Sequence, residues 1–352
     1  MAPIKQQASV VGENGTAVLA EVDVPKLGPG QILVKVVAAA QNPSDWKAAQ
    51  SITAHGATIG LDYAGIVEEI GSDVPAGVRY LGEKVCGFVR GAAGAHGAFA
   101  EYLVASAQYA TIPIPNGWSF EDAAQIGVAA FTTVQAMTES LTDLPTPLAP
   151  ATTPTPLLVY GGSSSVGFYT IQWAKLAGLH VIATASKHNH DILKRYGADE
   201  VYDYRDPDVG AKIRAATQGR LRHAVDTISE AQSPRIVSEA LSEEGGTVAQ
   251  ILRYDSPRPG VEVKFSLAYY FLGQDMVGKY VIKATPETRA NSIKQGKLLS
   301  DILALGKIRP MPTLIFPKGL ASVQEGFEFM KAGKVSGQKI TYRIADTPGL
   351  KA

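Results

Sequence analysis

At 352 residues the chain exceeds what one hydrophobic core usually supports, so two domains are expected. Lys plus Arg number 33 and Asp plus Glu number 33, and this zero net charge excludes a whole-chain field that would draw nucleic acid or anionic membrane. A single cysteine, Cys86, excludes an intrachain disulfide and a multi-cysteine zinc site; it fits a reducing compartment and reads as a buried small hydrophobe.

The start, MAPIKQQASVVGENG, has no apolar core of signal-peptide length, and no later run approaches the roughly 20 apolar residues that span a bilayer, so a soluble cytoplasmic protein is expected. Short runs follow, QILVKVVAAA, YAGIVEEIG and EKVCGFV, each bounded by glycine, proline or aspartate, which predicts an irregular β-domain. From SFEDAAQIGVAAFTTVQAMTESL the spacing turns helical, with Ser119 as N-cap and Glu121 and Asp122 in the first turn, so a domain boundary belongs near residue 118. Five prolines between residues 143 and 156 forbid a regular helix or internal strand and predict a loop-like insert, either a surface loop or a contact surface. Beyond it, PLLVYGG, HVIATAS, EVYDY, LRHAVDTI and GTVAQIL alternate with helical segments, one near residues 233 to 242, and predict an α/β domain with a doubly wound parallel sheet. Near the end, LIFPKGLASVQEGFEFMKAGKVSGQKITYRI reads as strand, short helix, turn and strand, and the last strand can return to the β-domain.

In LLVYGGSSSVGFYTIQWAKLAG, small residues after a strand let backbone N–H groups approach a pyrophosphate at the positive end of the following helix. Gly161, Gly162 and Gly167 supply the close approach, and Ser163, Ser164 and Ser165 add hydroxyl donors. The pattern departs from G-x-G-x-x-G and alone reads equally as an ordinary turn; its place after a strand, before a helix and at the head of an alternating series favours dinucleotide binding. At the end of the second strand, Ser186, Lys187, His188 and Asn189 offer a cation and hydrogen-bond donors with no carboxylate. That suits a 2′-phosphate and favours NADPH over NADH; the competing reading is a solvated loop lysine. His188 and His190 lack a third ligand and read as surface residues, not a metal site. Tyr204 either packs on the adenosine part or is an amphipathic surface tyrosine.

QNPSDWK (residues 41–47), GLDYAGIVEEIG (60–71), GEKVCGF (82–88) and GAFAEYLV (97–104) resemble, in order and spacing, landmarks of the medium-chain dehydrogenase/reductase superfamily. The resemblance implies a GroES-like β-domain, residues 1–118 and 310–352, and a Rossmann domain, 119–309, with the active site in the cleft between them. Asn42 stands where the zinc branch has its first cysteine ligand, Leu61-Asp62 replaces the His-Glu pair, and the structural four-cysteine lobe is absent. Without those ligands no Lewis acid polarises an alcohol or ketone, which leaves hydride addition to an activated double bond such as an enoyl thioester or a quinone.

Within the zinc-free branch, the proline insert and TASKHNHDILKRYGADEVYDYRDP are similar to the stand-alone trans-acting enoyl reductases of fungal polyketide biosynthesis, of the lovastatin-pathway type. That implies NADPH-dependent reduction of an α,β-unsaturated acyl thioester carried by a polyketide synthase. The alternatives are an NADPH-dependent quinone or small-enone reductase and a non-catalytic nucleotide-binding protein. The resemblance further implies that Ser44, Asp45, Trp46 and Lys47 lie beside the cofactor, with Lys47 as the catalytic candidate for holding ribose or oxyanion. Ser163, Ser164, Ser165 and Val166 would hold the pyrophosphate; Ser186, Lys187, His188 and Asn189 the 2′-phosphate; Tyr204 the adenosine; Ile251 and Leu252 the nicotinamide. Val335 and Ser336 would close the cleft. Val128, Ala129, Ala130, Phe131, Thr132, Thr133, Val134 and Gln135, with Ala268, Tyr269, Tyr270, Phe271 and Leu272, are expected as acyl-pocket walls, or alternatively as core. Related mitochondrial-type enoyl reductases carry a proton-donating tyrosine after the Asn-Pro-Ser-Asp motif. Here AAQSITAHGATIG has none, and the proton donor is left unassigned; His55 reads as exposed. The closest resemblance implies a monomer, with a dimer as the alternative; the proline insert would favour the monomer if it covered the sheet edge.

Overall fold

The computed structural model describes residues 3–51, 55–93, 95–277 and 280–350. Its contacts divide the chain into two units, Met1–Val128 with Tyr269–Ala304 and Pro310–Ala352, and Ala129–Ala268 with Leu305–Arg309.

In the first unit, β1 (Lys5–Val11) pairs antiparallel with β2 (Ala17–Asp23). β3 (Gln31–Ala40) pairs with β4 (Asp62–Ile70), which pairs with β5 (Lys84–Phe88). β6 (Tyr102–Ser106) lies on β3, and β7 (Thr111–Pro113) on β5. Valine-rich alternation drives these pairings: Val34, Val36, Tyr63 and Phe99 turn inward and are buried. Cys86 in β5 is fully buried among them. Between β3 and β4 lies α1 (Pro43–Ser51). α2 (Phe120–Ala123) has the expected cap, the Ser119 hydroxyl accepting from Asp122 N, and α3 (Gly127–Gln135) follows. Gln125 bonds to Met311 and Thr313, which ties the segment after residue 118 to the first unit.

The second unit is a six-stranded parallel sheet made of β8 (Pro156–Tyr160), β9 (His180–Thr184), β10 (Glu200–Tyr202), β11 (His223–Asp226), β12 (Gly246–Gln250) and β13 (Val261–Phe265). Their spatial order is β10-β9-β8-β11-β12-β13, so the direction of winding switches between β8 and β11. Helices α4 (Ser165–Leu176), α5 (His190–Arg195), α6 (Val209–Ala216) and α7 (Ser233–Ala240) connect the strands. Leu158 and Tyr160 pack against Val209, Ile213, Ile236 and Val237, while Leu157 and Val159 are also fully buried, so both faces of the sheet are covered. The sixth strand, VEVKF, extends the five-strand expectation. The insert is irregular as expected. Ala151 N donates to Ala177 O at 2.9 Å, His180 N to Thr155 O at 2.9 Å, and His223 Nε2 lies 3.0 Å from Asp143 Oδ2. These contacts flank the amino ends of interior strands, leaving the edges at β10 and β13.

The chain then returns to the first unit. α8 (Pro286–Ala304), not expected from the sequence, opens on Thr285 and Pro286. β14 (Thr313–Ile315), α9 (Val323–Lys331) and β15 (Lys339–Arg343) follow. β15 pairs antiparallel with β3, Thr341 opposite Ala40, and Tyr342 and Phe327 join the first core, so the terminal strand does return. Among the described residues no helix is long and apolar enough to cross a membrane.

Candidate active site

The segment after β3 is shaped by its own capping chemistry. Asn42 precedes α1, Pro43 takes the first helical position, and the Asp45 carboxylate reaches back to accept from Asn42 N at 2.6 Å. Asp45 is fully buried, and burial pushes its carboxyl up to about 8 against the opposing Asn42 and Leu61 N–H groups. As a buried cap, Asp45 sets the orientation of α1. Lys47 is exposed, with Nζ 5.6 Å from the Trp46 ring centroid, and Lys331 Nζ lies 5.5 Å from the same ring.

A buried cation closes the end of β3. Ala40 pairs with Asp62 on one side and with Thr341 on the other, so the first residues of β4 and β15 converge where Asn42 begins α1. Lys339 Nζ donates to Asn42 Oδ1 at 2.6 Å and to Asp62 Oδ2 at 3.2 Å, with side chains 3% and 0% exposed for Lys339 and Asp62. Asp62 Oδ1 accepts from Val128 N at 2.8 Å. A Cβ at Gly127 would stand 2.2 Å from that oxygen, so only glycine fits there. Burial pushes the Asp62 carboxyl up, opposed by Lys339, Asn42 and the Val128 N–H. Asn42 and Asp62 occupy positions that bind metal in the zinc branch. Their oxygens are held here by an ammonium group, and among the described residues no group of three or more His, Cys, Asp or Glu side chains is placed to hold a metal ion, so the residues present do not fit that metal.

Tyr269, expected only as a pocket wall, comes to the first turn of α1. Its phenol lies within electrostatic reach of Asp45, Asp62 and Arg90. Burial pushes this hydroxyl up, with Asp45 and Asp62 adding to that and Arg90 and Ser44 opposing. The same 3-10 turn, Ala268–Leu272, buries Ala268, Phe271 and Leu272 and leaves Tyr270 exposed. Phe271 O accepts from Ser292 Oγ of α8 at 2.7 Å. Most of the other expected wall is core: Ala129, Ala130, Phe131, Thr133 and Val134 are at most 1% exposed, and Thr132 and Gln135 5%. Val128 keeps partial exposure.

In the second unit the glycine and serine turn follows β8 at the switch point. Gly161, at φ +78°, donates from N to Thr184 Oγ1 at 3.0 Å. A Cβ on Gly167 would meet Gly161 O at 2.5 Å. Ser164 caps α4, accepting from Gly167 N at 3.0 Å while donating to Thr227 Oγ1 at 2.8 Å, and Thr227 donates onward to Tyr160 O at 2.7 Å. The Ser164 hydroxyl, expected as a free phosphate donor, is therefore committed to the turn. Phe168 N makes the first intrahelical bond, to Ser164 O, so the N–H groups of Ser165 and Val166 precede the helical ladder, beside the hydroxyls of Ser163 and Ser165. This donor set at a helix of 12 residues fits a diphosphate.

Ser186 and Asn189 are buried in a short turn after β9, with Lys187 and His188 exposed between them. Tyr204 packs on the second core, and the Arg205 guanidinium lies 5.2 Å from its ring centroid. β9 and β10 pair with Tyr202 opposite Thr184, so Lys187 and Arg205 stand equally far past the ends of adjacent parallel strands. Sequence reasoning passed over Arg205, though it is adjacent to Tyr204. Ile251 and Leu252 are half-buried after β12, and Ile251 N is fixed by Ser229 Oγ at 2.9 Å. Asp226 organises that Ser229 turn, accepting from Ile228 N, Ser229 N and Ser233 Oγ. Val335 and Ser336 occupy the turn between α9 and β15.

Residues 28–116 match the alcohol dehydrogenase GroES-like domain and residues 165–268 the zinc-binding dehydrogenase family. The chain is 39% identical to a trans-enoyl reductase of Alternaria alternata, over 97% of this chain and 99% of that one. It is 35% identical to a trans-enoyl reductase of Pyricularia oryzae, over 91% and 93%. Among solved structures, a quinone oxidoreductase of Coxiella burnetii superposes with a TM-score of 0.73 at 23% identity, covering 96% of this chain and 99% of that one. An alcohol dehydrogenase superfamily protein of Novosphingobium aromaticivorans gives a TM-score of 0.78 at 21% identity, covering 96% and 99%.

Proposed function

Because the chain belongs to the trans-enoyl reductases, within the medium-chain dehydrogenase/reductase superfamily, we propose that it reduces the α,β-double bond of a polyketide acyl thioester presented by a synthase in the cytoplasm, using NADPH. The observation that carries this reading is the kinship with trans-enoyl reductases along nearly the whole chain. The Lys339 ammonium between Asn42 and Asp62 supports the same reaction class, since reduction of an activated double bond needs no Lewis acid.

When bound, the nicotinamide supplies a hydride to the β-carbon. The turn after β8 holds the diphosphate through the Ser165 and Val166 N–H groups and the Ser163 and Ser165 hydroxyls, while Ser164 keeps the turn rigid. Ser186, Lys187, His188 and Asn189 address the 2′-phosphate and Tyr204 the adenosine. Ile251 and Leu252, on backbone fixed by Ser229, cover the nicotinamide. Lys47, held on Trp46, offers its ammonium to ribose or to the thioester oxygen. The remaining need is a proton for the α-carbon.

The test is NADPH or NADH oxidation with crotonyl pantetheine thioester or with a quinone. Thioester turnover with NADPH supports the reading; quinone turnover alone moves the protein to diffusible acceptors, the activity named for the Coxiella neighbour.

A further inference from the structure

We infer that the turn closing β11, Asp226 to Ser229, is the positioning device of the dinucleotide site: Thr227 sets the diphosphate turn after β8, and Ser229 sets the segment after β12 that meets the nicotinamide. The inference rests on the nicotinamide-cofactor part of the reading above and goes beyond it, because it makes Thr227 and Ser229 separable determinants of the two ends of one ligand.

The observations that carry it all lie in the second unit. Register places three turns side by side. Asp226 is level with Tyr160 of β8 and with Gln250 of β12, so Gly161, Thr227 and Ile251 each stand first past a carboxyl end. The winding switches between β8 and β11, and the crevice at such carboxyl ends is where open α/β sheets take their ligands.

The β11 turn is bonded to both neighbours. Towards β8, Thr227 Oγ1 donates to Tyr160 O at 2.7 Å and accepts from Ser164 Oγ at 2.8 Å. A Cβ on Gly161 would stand 2.6 Å from that same Thr227 oxygen and from Ile228 Cγ1, so the two turns are in contact. Towards β12, Ser229 Oγ accepts from Ile251 N at 2.9 Å while donating to Asp226 O at 2.8 Å. Gln250 Oε1 accepts from Tyr254 N at 3.0 Å, so segment 251–254 is pinned at both ends.

Ser229 is held in a conformation that serine rarely takes, left-handed at φ +57°. Buried Asp226 fixes it there, Oδ1 accepting from Ile228 N at 3.1 Å and Ser229 N at 2.8 Å, and Oδ2 from Ser233 Oγ at 2.7 Å. Glycine would take this φ without steric cost, so the backbone alone gives no reason for a hydroxyl-bearing residue. The hydroxyl is what reaches the end of β12, and backbone strain held by its surroundings gathers at ligand clamps.

The experiment uses the full chain and compares, by calorimetry, the affinity of NADPH with that of 2′-phospho-ADP-ribose, the same ligand without its nicotinamide. NADH and ADP-ribose replace the pair if the unsubstituted chain prefers NADH. Ser229→Gly keeps the turn and removes the hydroxyl. It should weaken NADPH about fivefold, as expected for one hydrogen bond, and leave 2′-phospho-ADP-ribose within about twofold. Thr227→Val removes the acceptor for Ser164 and should weaken both ligands alike, about fivefold, while Thr227→Ser should bind both as the unsubstituted chain does. Equal weakening of both ligands by Ser229→Gly, or no weakening of NADPH, overturns the inference and leaves the reductase reading standing. Failure of Ser229→Gly to fold by circular dichroism overturns it too, because the hydroxyl then serves stability. Thr227→Val with both affinities intact also overturns it; if that variant does not fold, Ser229→Gly decides alone. An unsubstituted chain that binds neither pair overturns the cofactor reading and the inference together.

Discussion

Lys339 opens a strand whose companions Thr341 and Tyr342 are buried, and its ammonium ends inside the protein against Asn42 and Asp62. A lysine in sequence reads as solvated, because its partners lie 277 and 297 residues away and nothing local announces them. Removing one member of a buried pair leaves the other charge uncompensated, so Lys339→Met should cost about 3–5 kcal/mol in urea unfolding. Pairing it with Asp62→Asn, which keeps the acceptor for Val128 N, should recover part of that loss. Asp45 carries a pH signature. Its carboxyl, at 3.8 when exposed, is raised to about 8 in the fold, chiefly by burial. Across that window the folded chain keeps a proton that the unfolded chain has released, so the contribution of this group to stability is full below about pH 4 and falls as pH rises toward about 8. Asp45→Asn keeps an acceptor for Asn42 N and removes this dependence. Urea midpoints at about pH 5 and about pH 8 should therefore separate less in the variant than in the unsubstituted protein.

At the scale of elements, the turn after β8 was legible because its determinants are contiguous: apolar strand, two glycines, three serines and a helix. The commitment of Ser164 to Thr227 was not legible, since it depends on β11 lying beside β8. VEVKF is short and half polar, and nothing in it declares that it will pair parallel with β12. α8 lacked a strong apolar stripe, although Thr285, Pro286 and Glu287 form a readable start. The expected pocket walls 128–135 and 268–272 were apolar as read, but apolar composition alone does not separate wall from core, and most of them proved to be core. The parallel register of β9 and β10 brings Arg205 into the same reasoning as Lys187. Lys187→Ala and Arg205→Ala should each weaken NADPH binding about tenfold, as expected for loss of one charge-assisted contact, and leave NADH affinity little changed in fluorescence titrations. If Arg205→Ala leaves NADPH affinity intact, the guanidinium serves only the Tyr204 ring.

At the scale of the whole chain, the return of the terminal strand was legible from its position and its family likeness, and the structure pairs it with β3. That strand brings Tyr342 to the first core and Lys339 to Asp62. A chain stopped before Lys339 should therefore leave the first unit unable to reach a cooperative fold, seen as loss of its sharp thermal transition. The parallel sheet of the second unit draws all six of its strands from residues 156–265 and should fold without waiting for the end.

The pairing of Asp62 with Lys339 also has a consequence in time. A ribosome makes Asn42 and Asp62 early, and the cation that satisfies them emerges 277 residues after Asp62. Until then the Asp62 carboxylate has no cation to pair with, and burying it as a charge is costly. A nascent or shortened product that lacks Lys339 is therefore expected to close the end of β3 around Asp62 less readily than a chain that has it.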